Sequence, residues 1–175
     1  MAGDPAISCG RCESCQRGHP NLCSSIIFAG YGEQDGALRE YVAWNEKRLF
    51  AIPDSVTSDD GAMLEPLGVA LHSVDLGKLK TGMSVGVFGC GPIGLLIIQL
   101  AKLSGAAQII ATDKFAHRVE AAKANGASHA FLAGDNHESE EVRAATHGRG
   151  VDVAFEAAGT QATVDASVAA AVLGG

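Results

Sequence analysis

Ser84-Val85-Gly86-Val87-Phe88-Gly89-Cys90-Gly91-Pro92-Ile93-Gly94 is an apolar run that ends in three spaced glycines and leads into a stretch of helical spacing. It reads as a strand turning into a helix over a phosphate site. Gly89 permits the tight turn, Gly91 lets backbone N–H groups approach a pyrophosphate, and Gly94 lets the helix lie close on the strand. The helix N-terminus adds partial positive charge at that point. A glycine-rich turn alone also arises for packing reasons, so the residues beyond it matter.

Outward from the turn, residues 92–104 read as a helix closed by Gly105, and Gln108-Ile109-Ile110-Ala111-Thr112 as a second buried strand ending at Asp113. Asp113 lies 19 residues beyond Gly94, the separation at which a carboxylate at the second strand tip meets an adenosine ribose. It would accept hydrogen bonds from both ribose hydroxyls and repel a 2′-phosphate, which favours NAD over NADP. Lys114 beside it opposes that preference, and an Asp at a strand end also serves as a helix cap. Residues 115–125 read as a helix closed by Gly126, residues 130–132 as a third strand and residues 138–146 as a third helix. Residues 151–156 give a fourth strand and residues 161–172 its following helix. Strands alternating with helices predict a doubly wound parallel α/β sheet of order 3-2-1-4 with right-handed crossovers, the fourth strand an unpaired edge.

Four of the five cysteines fall together as Cys9-x2-Cys12-x2-Cys15-x7-Cys23. Three thiolates on a tight loop and a fourth returning from a short excursion can converge at about 2.3 Å from a tetrahedral zinc ion. An iron–sulfur cluster also uses a C-x2-C-x2-C run, but with the fourth cysteine three residues on and a proline after it; here the gap is seven and Ser24 follows. Disulfides at such spacing would be strained. A closed four-thiolate site has no open coordination position, so its metal would hold a loop together. Cys90, inside the glycine turn, reads as a small buried side chain.

Between these signals, residues 37–43 and 49–52 read as short strands of a β-rich unit, and residues 54–80 as helix capped by Ser58-Asp59-Asp60. Glu65, flanked by apolar residues and followed by Pro66, is either a metal-binding or catalytic acid or a helix-surface charge. His72 reads as a core or interface histidine.

Composition narrows the classes. Of 175 residues, 47% are hydrophobic and 19% charged, which excludes a disordered chain. A net charge of −7 without a Lys/Arg cluster argues against nucleic acid or an anionic membrane as partner. The opening residues 1–5 carry neither a basic flank nor an apolar segment, so a cytoplasmic location with reduced thiols is expected.

Jointly these residues resemble the zinc-containing medium-chain alcohol dehydrogenases, in the branch of sorbitol, xylitol and threonine dehydrogenases. The resemblance rests on Cys9, Cys12, Cys15 and Cys23; on Asp35-Gly36-Ala37-Leu38-Arg39-Glu40-Tyr41; on Leu64-Glu65-Pro66-Leu67-Gly68-Val69-Ala70-Leu71-His72; on the Gly89 to Gly94 turn; and on Asp113 with Arg118. It implies a structural-zinc lobe with the remnant of a GroES-like catalytic domain over residues 1–54, a connecting helix region over 55–80, and an NAD-binding Rossmann-type domain over 81–175. The four cysteines would be the structural-zinc ligands and Glu65 the acid at a catalytic zinc. Gly89, Gly91, Pro92, Ile93 and Gly94 would line the pyrophosphate, Asp113 would hold the adenosine ribose, and Arg118 would lie against the adenine or ribose. It implies hydride transfer from a polyol or secondary alcohol to NAD, with zinc polarising the alcohol oxygen, by a homo-oligomer when full length. The family's catalytic cysteine and Gly-His-Glu motif are absent before Cys9, and a fifth strand is absent after Gly174. The chain is therefore expected to be a central piece of such an enzyme and to lack catalysis alone. The alternative is a non-enzymatic module that uses zinc for structure and the dinucleotide fold for sensing or partner binding; an iron–sulfur electron carrier is a third.

Overall fold

The computed structural model describes residues 1–134 and 137–174. Two compact units divide at Leu64 and Glu65.

The first unit holds four two-residue strands: β1 (Ala2–Gly3), β2 (Ala6–Ile7), β3 (Ile27–Phe28) and β4 (Leu49–Phe50). They form two antiparallel ribbons, Ala2 opposite Phe50 and Ala6 opposite Phe28. Asp4 ties them to the later chain: its carboxylate accepts from Arg48 Nη1 at 2.8 Å and its carbonyl from Trp44 Nε1 at 2.9 Å. A four-residue helix, α1 (Glu13–Gln16), lies within the cysteine loop. Residues 37–43, expected as a strand, are irregular. They have no neighbouring strand to take up their backbone groups, and Leu38, Tyr41 and Val42 are exposed. Across residues 1–64 a single residue, Cys23, is buried, so this unit has no apolar core of its own.

The helix expected over residues 54–80 is two helices, α2 (Ser58–Ala62) and α3 (Leu64–Leu76), broken at Met63. Pro66 sits in the first turn of α3, just after that break, where its missing N–H has no intrahelical partner to lose. The cap is Thr57 rather than Ser58: Asp60 N–H donates to Thr57 Oγ1 at 3.1 Å and Asp60 Oδ2 accepts in return from the Thr57 N–H at 3.3 Å.

The second unit is a parallel sheet of β5 (Ser84–Phe88), β6 (Gln108–Asp113), β7 (His129–Leu132) and β8 (Val153–Glu156), in spatial order β7-β6-β5-β8. This is the expected 3-2-1-4 order. Four helices follow the strands in turn: α4 (Pro92–Leu103), α5 (Ala116–Asn125), α6 (Glu138–Ala145) and α7 (Gln161–Ala170). All five residues of β5 are buried, as a strand covered on both faces requires. Its side chains alternate: Val85 and Val87 join Ile97, Ile98 and Ala122 in one core, while Phe88 joins Ile110, Val142 and Ala170 in the other. Strand β8 starts at Val153, two residues later than expected, because Val151 instead bridges to Ala171 after α7. No described helix is long and apolar enough to cross a membrane.

Candidate functional site

The carboxyl ends of β5, β6 and β8 surround a cleft of about 570 Å³. Strand order reverses on either side of β5, which is where an open parallel sheet leaves a crevice. Gly89 adopts φ +103°, and a Cβ there would stand 2.8 Å from Ala157 C and Ala158 N, so the turn presses directly on the segment after β8. A Cβ on Gly94 would overlap the Gly89 carbonyl oxygen, which is why α4 can start so close to its strand. Gly91 differs. It is the N-cap of α4 with ordinary φ −71°, and a Cβ there would meet no atom of the chain within 4 Å; it would project into open space at the cleft. Nothing inside the fold requires that glycine.

Asp113 ends β6 with 6% of its surface exposed. Its Oδ2 accepts from the Cys90 N–H at 2.8 Å and its Oδ1 from the Phe115 N–H at 2.9 Å, with Arg118 Nη1 3.6 Å from Oδ2. The guanidinium also covers the Phe115 ring at 5.0 Å, and the Lys114 ammonium lies 5.1 Å from the same centroid. Cys90 is 1% exposed; burial first, then the Asp113 charge, push its thiol up to about 12 against the pull of Arg118. That makes it an unreactive packing residue, as expected.

Of the residues expected at the cofactor, Gly89, Gly91, Asp113 and Arg118 line the cleft together. Pro92, Ile93 and Gly94 are not among its lining: Pro92 is exposed at the first turn of α4, Ile93 packs on the core and Gly94 is buried beneath the turn. Sequence reasoning missed the opposite wall, formed by Ala157, Ala158, Thr160 and Thr163. The available signal was Glu156 followed by Gly159, an acid ending an apolar strand just as Asp113 does.

In the first unit, Cys9, Cys12, Cys15 and Cys23 place their sulfur atoms all within 4.8 Å of one another. None is in a disulfide. The Cys12 N–H donates to Cys9 Sγ at 3.4 Å and the Cys9 N–H to Cys23 Sγ at 3.3 Å. The Cys15 N–H and then its thiol hold Cys12 down to about 6; N–H groups of Arg11 and Cys12 lower Cys9; burial and the neighbouring Cys12 push Cys15 up to about 11. Four soft donors converging on one point fit a tetrahedral zinc ion. Among the described residues this is the one group of His, Cys, Asp and Glu arranged to hold a metal. Glu65 is exposed in the first turn of α3, and His72 on the same helix is exposed, which leaves no core role for His72.

A doubly wound parallel sheet with a glycine-turn cleft, carried with a four-thiolate lobe, defines the class of zinc-binding dinucleotide dehydrogenases. Comparison with known proteins agrees. Residues 1–54 match the alcohol dehydrogenase GroES-like domain and residues 92–175 the zinc-binding dehydrogenase family. Sorbitol dehydrogenase of Bacillus subtilis is 38% identical over 175 residues, covering 100% of this chain and 50% of that protein. A probable D-xylulose reductase A of Aspergillus terreus is 37% identical over 172 residues, covering 96% and 49%. A zinc-binding dehydrogenase from Sinorhizobium meliloti, solved bound to NADP, superposes with a TM-score of 0.90 at 41% identity over 99% of this chain and 51% of that one. The chain belongs to the zinc-containing medium-chain alcohol dehydrogenases, with curated relatives in the polyol branch, and spans about half the length of those relatives.

Proposed function

We propose that this chain supplies the dinucleotide-binding fold and the metal lobe of an oxidoreductase that passes a hydride between a polyol or secondary alcohol and NAD. The observation that carries the reading is the space at Gly91: a glycine whose missing Cβ frees room for no part of the chain leaves it for a ligand at the N-terminus of α4. The nicotinamide ring supplies the hydride chemistry when bound. The chain's own part is to place it. N–H groups at the start of α4 face the phosphates, and Asp113, fastened by Cys90 and Phe115, turns its remaining lone pairs to the ribose hydroxyls. Its charge opposes a 2′-phosphate, which favours NAD, while Arg118 lies along the adenosine end over Phe115. The four cysteines would hold a structural zinc that replaces the core the first unit lacks. Glu65 we assign to a catalytic zinc on the strength of its place in Leu64-Glu65-Pro66-Leu67; one carboxylate does not hold that metal by itself.

The alcohol class follows from sorbitol dehydrogenase and D-xylulose reductase among the relatives. No observation favours the non-enzymatic alternative. Four unpaired cysteines suit the reducing cytoplasm, and a homo-oligomer is the assembly the family resemblance suggests. Calorimetric titration with NAD and NADP tests the reading: NAD should bind in the micromolar-to-millimolar range, tighter than NADP, and equal affinities would remove the ribose role of Asp113. Reduction of NAD with sorbitol, compared with a Glu65→Ala control, tests the expected lack of turnover by the chain alone.

A further inference from the structure

The wall of the cleft opposite Asp113 is built around one carboxylate oxygen. Glu156, the last residue of β8, accepts through Oε1 from the Ala158 N–H at 2.9 Å, the Gly159 N–H at 2.8 Å and the Thr163 hydroxyl at 2.7 Å. The Thr160 hydroxyl lies 2.8 Å from that of Thr163 and caps α7, accepting the Thr163 N–H at 3.2 Å. A chain of hydrogen bonds therefore runs from the helix cap to the carboxylate. The segment it gathers, residues 157–160, supplies Ala157, Ala158 and Thr160 to the cleft and abuts Gly89 with no room for a Cβ between them.

We propose that Glu156 is a positioning residue for the nicotinamide half of the cofactor. By collecting three donors on one oxygen it holds residues 157–160 against the glycine turn, so the two walls of the cleft stand at a fixed separation before any ligand arrives. The inference rests on the dinucleotide reading of the cleft. In a crevice opening on either side of β5, the adenosine half lies toward Asp113 at the tip of β6 and the other half toward the tip of β8, where this loop stands. Glu156 touches neither half; it acts through the loop, and its charge matters because hydrogen bonds to an ionised acceptor are about twice as strong as neutral ones.

Glu156→Ala and Glu156→Gln in the whole chain test this. In the unliganded protein, amide hydrogen exchange at Ala158 and Gly159 should quicken by roughly tenfold in Glu156→Ala and by a smaller factor in Glu156→Gln, which keeps an acceptor oxygen but loses the charge. NAD affinity should fall by roughly tenfold in Glu156→Ala, and affinity for 5′-AMP should not change. Unaltered exchange at both amides overturns the brace, and equal losses for NAD and 5′-AMP overturn the positioning role in favour of a general structural one. A parent chain that binds 5′-AMP but not NAD also overturns it, whereas one that binds neither overturns the cofactor reading beneath it.

Discussion

The backbone N–H of Cys90 donates to Asp113 Oδ2 at 2.8 Å, which fastens the acid at the tip of β6 to the glycine turn at the end of β5. The same carboxylate accepts from the Phe115 N–H that opens the next helix, so one side chain joins three segments around the cleft. Replacing it with Ala leaves two backbone donors without acceptors, one of them at a buried residue. Asp113→Ala should cost about 1–3 kcal/mol of stability, read by thermal melting. It should also lower NAD affinity by roughly ten- to a hundredfold and narrow the gap to NADP, both read by calorimetry. A cofactor preference identical to the parent's would show that the carboxylate is a turn brace only.

Gly91 and Gly94 separate binding from folding. At Gly94 an added Cβ runs into the Gly89 carbonyl oxygen, so Gly94→Ala should shift α4 and cost about 1–3 kcal/mol. At Gly91 the methyl group meets only open space and the backbone is ordinary, so Gly91→Ala should melt within about 0.5 kcal/mol of the parent. That second variant should nevertheless lose NAD binding. If Gly91→Ala binds NAD as the parent does, the turn is not a phosphate site.

Metal removal should act on one unit. Trp44, the sole tryptophan, donates to the Asp4 carbonyl within the first unit and reports on it alone. Zinc content by mass spectrometry should show the ion bound, and a chelator should red-shift Trp44 emission while the helical signal of the parallel sheet unit persists. Cys23→Ser should behave like the chelated protein. Thiolate ligands must be deprotonated, so zinc should be retained at neutral pH and released as pH falls. Unchanged Trp44 emission in metal-free protein would contradict a metal-dependent fold.

At the opposite end of the sheet, Asp152 accepts from the Ser84 N–H and hydroxyl, both at 2.8 Å, and pairs with Arg149. The Arg149 hydrogen bonds, and next the Ser84 N–H, hold its carboxyl well below the usual carboxylate range. A depressed folded-state pKa gives stability that is fully present above the unfolded value of about 3.9 and is lost as pH falls through the folded one. Glu156 shifts the same way: burial raises its pKa, but bonds from Thr163, Gly159, Ala158 and Thr160 outweigh it. Acid titration below about pH 4 should therefore destabilise the parent more steeply than Asp152→Asn, followed by circular dichroism. Parallel curves would show that the Arg149–Asp152–Ser84 cluster contributes nothing at neutral pH.

Much of the second unit was legible in the chain because local signals there agree with one another. β5 is apolar at every position, α4 begins on a proline after a glycine cap, and Gly126 closes α5 at φ +119°. The first unit was harder to read. Residues 37–43 alternate like a strand yet find no partner, and the two-residue ribbons at Ala2, Ala6, Ile27 and Leu49 carry no periodic pattern. They exist through pairing across long separations, the Asp4–Arg48 link among them, which no local window records.

The sequence by itself determined the strand order, the glycine turn, the acid that closes the second strand and the four-thiolate group, because each follows from spacing and residue type along a short length of chain. Tertiary structure alone decided that Asp113 is held by Cys90 and Phe115, that Gly91 faces open space while Gly94 is packed shut, and that Glu156 gathers the far wall. The Cys90–Asp113 bond and the press of Gly89 on Ala157 and Ala158 depend on which atoms of one strand end come within about 3 Å of another's, a distance set by the pairing of β5 with β6 and β8. The bonds of Glu156 to Ala158, Gly159 and Thr163 are short in sequence but need the turn after β8 to fold back on the strand end, which the residue pattern there does not settle.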